Sequence, residues 1–240
     1  MVVRGRSGFA AALVGLALVA VLTSAGAASL SLPAGIPPAE RHRLQDVANA
    51  AAVSTHVEAE PFVTRPEVFE YLIDHPEFAT HVTRALRLAR YRIWRAGGEL
   101  ALDDGWGATG VFRVVHAGTG LRVMYARGEY NKALLPTING EAVTIIGWDY
   151  TPAPGGRRVA HTTVAGYVKF DSRMMNLAVR ATRVIAQRKA DLEARRLMRT
   201  FARVSQAIEE DAGSVLERVR ARPDVPQREL EEFSRLVNAR

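Results

Sequence analysis

The sequence predicts an α+β fold, a curved antiparallel sheet wrapped around a long C-terminal helix, on three observations. Between Leu86 and Phe170, short alternating or β-branched runs are separated by turn residues at regular spacing. From Ser172 to about Ala212 there is neither proline nor glycine, and Ala, Leu, Arg and Glu dominate, which is strong helix composition. Ahead of the sheet, one strand pattern is followed by two short helical patterns, so the helices are segregated to the ends of an otherwise continuous run of strands.

The chain opens on Arg4 and Arg6, continues with an apolar run from Phe9 to Leu22, and passes into the small-residue stretch Thr23-Ser24-Ala25-Gly26-Ala27-Ala28. That order is the signature of a secretory signal. Ala25 and Ala27 suit the small pockets of a signal peptidase, so residues 1-27 are expected to be removed and the mature chain to begin at Ala28, exported to the periplasm or secreted. An uncleaved membrane anchor is the alternative, because no charge occurs between Arg6 and Glu40 and about 20 apolar residues span a bilayer. With no cysteine in the chain, disulfides, thiolate catalysis, Cys-ligated zinc and a lipoprotein anchor are all excluded. About 210 mature residues suffice for one sizeable domain that buries roughly 70% of its unfolded surface. The net charge of +7 becomes +5 on cleavage, because the removed segment holds two Arg and no acid. A basic balance suits nucleic acid or an anionic membrane, and export disfavours nucleic acid.

Residues 28-52 form a leader, with Pro33, Pro37 and Pro38 among small residues and a short helix expected from Ala39 to Ala50. Val53 to Thr64 reads as the first strand, closed by Arg65-Pro66, where the proline suits a helix start. Val68, Phe69, Leu72 and Ile73 then recur at helical spacing, and Pro76 opens a second short helix after Asp74-His75. Strands are expected at Leu86 to Trp94, Glu99 to Leu102, Ala108 to His116, Leu121 to Tyr130, Ala142 to Tyr150 and Val159 to Phe170. Gly97-Gly98, Asp103-Asp104-Gly105, Gly118-Thr119-Gly120, Ile138-Asn139-Gly140 and Pro152 to Gly156 supply the turns between them. In the long helix, Leu197, Phe201, Val204 and Ile208 mark a buried stripe. Some 40 residues would reach about 60 Å, so the helix is expected to bend near Arg188-Lys189 or to overhang the domain, its two halves differently employed. Beyond it, residues 213-240 form an amphipathic extension in which Leu230, Phe233 and Val237 make a small helix that packs on the domain.

The order strand, two helices, antiparallel meander and long helix, with VFEYLIDHPEF from Val68 and AGYVKFDSR from Ala165 leading into the helix, resembles the START-like helix-grip superfamily, also called SRPBCC. That superfamily includes polyketide cyclases and lipid-transfer proteins. The resemblance spans residues 53-212 and implies a sheet wrapped around the long helix, with a cavity between them for a hydrophobic molecule.

Gly105-Trp106-Gly107-Ala108-Thr109-Gly110 matches G-x-G-x-x-G, yet the strand-like VFRVV follows it instead of a helix, so a glycine-rich hairpin is expected and not a dinucleotide site. The six histidines show no metal-binding spacing, no G-x-S-x-G elbow is present, and neither a metal nor another cofactor is expected. Aromatics concentrate in the strands. On alternation, Ala142, Thr144, Ile146, Trp148 and Tyr150 share one face, and Val159, His161, Thr163, Ala165 and Tyr167 share another of mixed polar and aromatic character. The candidate ligand-lining set is Phe112, Val114, Tyr125, Ile146, Trp148, Thr163, Tyr167 and Leu177, for a lipid or other hydrophobic small molecule bound without catalysis. A cyclase- or aromatase-like enzyme would instead use His116, His161, Tyr125 and Tyr167 as acid/base groups. A third reading is an interaction module whose interior is filled by side chains. Arg173, Arg180, Arg183, Arg188, Lys189, Arg195, Arg196, Arg199 and Arg203 form either a solvated helix face or a contact with anionic lipid.

Overall fold

The computed structural model describes residues 30-131, 137-172 and 183-239. The proposed signal segment, the start of the long helix and Leu177 lie outside these described residues. The elements run α1 (Pro38–Asn49), β1 (Val53–Glu58), β2 (Phe62–Thr64), α2 (Pro66–Asp74), α3 (Pro76–Ala85), β3 (Arg92–Ala96), β4 (Glu99–Asp103), β5 (Ala108–Gly118), β6 (Leu121–Tyr130), β7 (Ile138–Pro152), β8 (Arg158–Phe170), α4 (Arg183–Arg220) and α5 (Gln227–Asn238). The strands form one antiparallel sheet in the order β1-β8-β7-β6-β5-β4-β3, with β2 also paired to β8. Both edges turn toward the helices: β1 lies along α4, β3 packs on α3, and α3 packs on α4. The fold is thus the expected α+β, helix-grip type, an antiparallel sheet around a long C-terminal helix.

Where β5, β6 and β7 run side by side, Gly110 pairs with Gly128, and Gly128 with Gly140. A Cβ at these positions would lie 2.6 Å from the Arg127 carbonyl oxygen, 2.5 Å from that of Thr109 and 2.7 Å from that of Lys169. This glycine row lets neighbouring backbones close up as no side chain would permit. It also explains why Ile138-Asn139-Gly140, expected as a turn, is the start of β7. The glycine serves a close approach within the sheet and not a reversal.

Other departures have local causes. The expected first strand is two, because Pro61 cannot donate to the ladder and splits β1 from β2. The strand expected from Leu86 begins only at Arg92. The residues before it close α3, with Arg87 at φ 58° and the Leu88 amide donating to the Thr83 carbonyl at 2.8 Å. The G-x-G-x-x-G segment is a hairpin, as expected. Asp104 is fully buried there, and its Oδ1 accepts from the amides of Trp106 (2.6 Å) and Ala108 (2.9 Å).

The long helix does not bend at Arg188-Lys189. It breaks at Asp211, whose extended backbone (φ −158°) ends one helical run, while its Oδ1 accepts from the Ser214 amide at 2.9 Å and caps the next. Nor does its later half overhang. Val204, Ile208, Val215, Leu216 and Val219 are buried with Val68, Leu72, Phe78 and Val82 of α2 and α3 and with Leu230, Phe233 and Val237 of α5. The 213-240 segment is therefore integral to this second core.

Candidate functional site

Strand alternation gives the sheet an inner face toward α4 and an outer face. The inner face carries Phe112, Met124, Ala126, Ala142, Ile146, Trp148, Ala160, Val164 and Val168, packed with Ala186, Ala190, Ala194 and Met198 of α4. Leu197 and Met124, both half-buried, join the two inner clusters and mark the centre of the interior. Two gaps there that are bounded by described residues are small. One of about 10 Å³ lies beside Ala126, Gly128 and Phe170, and one of about 20 Å³ beneath Ala190.

One end of this interior is a closed polar network. Arg122 grips Asp74 with two hydrogen bonds, Nε to Oδ1 at 2.6 Å and Nη2 to Oδ2 at 2.9 Å, and its guanidinium lies 5.0 Å from the Trp148 ring centroid. Glu70 accepts from the Trp148 indole at 3.2 Å and the Tyr150 hydroxyl at 3.1 Å. Burial, then the Glu70 carboxylate beside it, push the Tyr150 hydroxyl far above its ordinary range, so it remains a neutral donor. Phe69 stands edge-on to Phe62, Trp148, Tyr150 and Phe201 with centroids 5.5 to 6.5 Å apart. Every polar group of this network has a partner, and it fastens α2 to the sheet.

Deeper in, two polar groups have none. Thr162, on the inner face of β8 opposite Trp148, is 2% exposed, and its Oγ1 makes no hydrogen bond. Glu193 is 7% exposed, and its Oε2 is likewise unpartnered, while Oε1 only approaches Arg196 at 3.8 Å. Glu193 follows Ala186 by seven residues and precedes Leu197 by four, so it shares their inward stripe. Burial raises its carboxyl above the ordinary 4.5, against the pull of Arg196 and Lys189. An unpaired buried polar group costs on the order of 1–3 kcal/mol, a cost that a bound molecule able to hydrogen-bond would offset.

The outer face is closed by the leader. Leu44 and Val47 of α1, with Ile36, cover Val123, Tyr125 and Val143, and Tyr167 packs against the same cluster. Arg43 and Arg113 stack over the Tyr125 ring at 5.6 and 5.3 Å, and the Tyr125 hydroxyl donates to Glu141, which also holds Lys169 at 2.7 Å. Burial and then the Glu141 contact push Tyr125 up to about 12. Burial would raise Glu141, but the hydrogen bonds from Lys169 and Tyr125 hold it below its usual value.

The candidate lining set is therefore divided. Phe112, Ile146 and Trp148 are buried on the inner face, and Val114 shares that face but is 40% exposed. Tyr125, Thr163 and Tyr167 stand on the outer face, and Leu177 lies outside the described residues. On β8 it is Ala160, Thr162, Val164 and Val168 that point inward. On the opposite face of β8, Tyr167 is half-buried against the leader. The inner-face residues absent from the candidate set are Met124, Thr144, Thr162, Glu193 and Leu197, although the sequence places Thr144 on the face of Ile146 and Leu197 on the buried stripe of the long helix. Met124 could have been found, because it alternates along β6 with Ala126, the partner of Phe112. Glu193 could not, since a helical Glu among Arg residues reads as solvated.

The alternative acid/base groups all stand on the outer face, away from the interior, with His116 opposite Val123 beside a bulge in β5 and His161 remote from the other three. Tyr125 and Tyr167 flank Val143 on adjacent strands. His161 contacts Thr151 at 3.1 Å, six residues and about 20 Å along β8 from Tyr167. Among the described residues no cluster of three or more His, Asp or Glu is placed to hold a metal ion.

No family model matches the chain, and no curated protein matches it. Among solved structures it is similar to the hypothetical protein jhp0584 from Helicobacter pylori, with a TM-score of 0.41 and 8% identity over 77% of this chain and 99% of that one. That likeness assigns no activity.

Proposed function

We propose that this chain is an exported START-like (SRPBCC) protein that binds, without catalysis, a lipid or other hydrophobic small molecule between the inner face of the sheet and α4. The observation that carries this reading is two unpartnered groups, Thr162 Oγ1 on β8 and Glu193 Oε2 on α4, buried on the inward sides of the sheet and the helix in a mainly apolar interior centred on Met124, Ile146 and Leu197. An apolar body with one hydroxyl or amine would fill such a place and satisfy the polar atoms. The outer-face positions of His116, His161, Tyr125 and Tyr167 weigh against the cyclase-like alternative. The small interior gaps favour the interaction module as the second reading.

Native mass spectrometry of the full chain purified from its own host tests the proposal. A retained apolar molecule bearing a polar end, reduced or exchanged in Glu193→Gln, is the expected result. If extracts carry nothing, and fluorescent fatty acids and sterols fail to bind at micromolar levels, the interaction module replaces the carrier.

A further inference from the structure

The exposed side of α4 has an organisation of its own. Arg188, Leu192, Arg195, Arg199 and Arg203 fall on one helical stripe, all exposed. Leu192, at 67% exposed, is the most exposed of the large hydrophobic side chains described. Beside this stripe a surface groove of about 490 Å³ runs between α4 and β2, lined by Phe62, Val63, Arg157, Ala202 and Arg203 among others. A smaller recess of about 90 Å³, bordered by Phe62, Arg195 and Arg199, adjoins it. The floor of the groove is apolar and includes Val63, which is 41% exposed. Its rim sets four guanidinium groups, of Arg157, Arg195, Arg199 and Arg203, against two carboxylates, of Glu60 and Glu209. Glu209 is already engaged by Arg65 at 3.4 Å and by Arg157 at 3.7 Å, and the Arg195 guanidinium donates to the Glu58 carbonyl. The guanidinium groups of Arg199 and Arg203 make no hydrogen bond or ion pair with any described residue.

Two unpaired arginines one helical turn apart, beside an apolar floor and an exposed leucine, match an anion that carries hydrocarbon better than a free anion. A solvated helix face would not set Leu192 among its arginines, and a site for a free phosphate would not need Phe62, Val63 and Ala202. We propose that this face docks the protein on an anionic lipid bilayer. Arg199 and Arg203 engage a lipid head-group phosphate, an acyl segment lies along Phe62 and Val63, and Leu192 enters the interfacial layer. The surface is separate from the interior and stands independently of the ligand reading above.

The test is co-sedimentation of the full chain with vesicles of phosphatidylcholine alone or in equal parts with phosphatidylglycerol. Binding is expected only to the anionic vesicles, weakened by salt. Arg199→Gln with Arg203→Gln should weaken it about thirtyfold, about fivefold per arginine from roughly 1 kcal/mol each. The pair Arg218→Gln with Arg220→Gln, exposed at the far end of α4 and equal in charge, should leave it unchanged. Arg157→Gln, on a different element, should weaken it in the same sense, and Leu192→Ala should weaken it at both low and high salt. Equal binding to neutral vesicles, equal loss in the control pair, or no loss in the Arg199/Arg203 pair would each overturn the proposal. Full displacement by millimolar inorganic phosphate, with Leu192 irrelevant, would overturn it in favour of a free-anion site. Because these readouts concern vesicles and surface residues, they fail or succeed separately from the interior-ligand experiment.

Discussion

The two faces of the sheet are built from the same strands and finished in opposite ways. On the outer face, the polar groups of Tyr125, Glu141 and Lys169 are matched to one another beneath α1. On the inner face, Thr162 and Glu193 are buried without partners. A satisfied network adds to stability and fixes the geometry around it, whereas an unsatisfied pair subtracts from stability until something binds. The outer face thus behaves as ordinary structure, and the inner one holds a place where free energy is left to be recovered.

That contrast can be broken or sharpened by substitution. The largest effect should come from Leu44→Ala, which empties a fully buried place under the leader; a loss of about 2–5 kcal/mol is expected in urea unfolding. Leu197→Ala, at the half-buried centre of the inner face, should cost less than Leu44→Ala while weakening ligand binding more. The reverse ranking would remove the distinction between the faces. Gly128→Ala drives a methyl group against the Thr109 carbonyl and should cost about 1–3 kcal/mol, visible as a lowered Tm.

The smallest effect, and the most telling, concerns Glu193. Its folded carboxyl is raised above 4.5, so the folded state holds a proton that the unfolded state has released. Stability therefore falls as pH rises from about 4.5 through the folded value. Glu193→Gln should match the parent near pH 4 and exceed it at pH 7 by on the order of 1 kcal/mol. Glu141 has the opposite sign. Its depressed value stabilises the fold above the ordinary carboxylate range, and that contribution is lost as pH falls through the folded value. Comparing melting curves of Glu193→Gln and Glu141→Gln across pH should give slopes of opposite sense, and parallel slopes would contradict the assignment of faces.

The fold class was legible because its signals are local: the proline-bounded short helices, the alternation along β5 to β8, and the long run free of proline and glycine. The facing of β8 was not. Ala160, Thr162, Val164 and Val168 form an unremarkable apolar alternation, while the opposite set carries Tyr167 and His161 and so resembles a pocket lining. What decides between them is that the leader covers the second face, a contact made across more than 100 residues of sequence that no periodicity announces. Asp211 illustrates the same limit. Within a helical composition it reads as one more polar residue, and only its bond to the Ser214 amide makes it a cap.

The clasp formed around α2 and α3 has a bearing on the order in which the chain folds. Phe78, fully buried, is enclosed by Phe233 at 5.2 Å between centroids and by Tyr71 at 5.9 Å, and the Tyr71 hydroxyl donates to the Glu229 carbonyl at 3.0 Å. The α5 groups that complete the seal on these early helices are thus more than 150 residues downstream. During synthesis, α2 and α3 must wait with an apolar face exposed until the last helix emerges, so this core closes late and as a single long-range step. The sheet hairpins can form before it, and chaperone contact should concentrate on Val68 to Val82 in the interval.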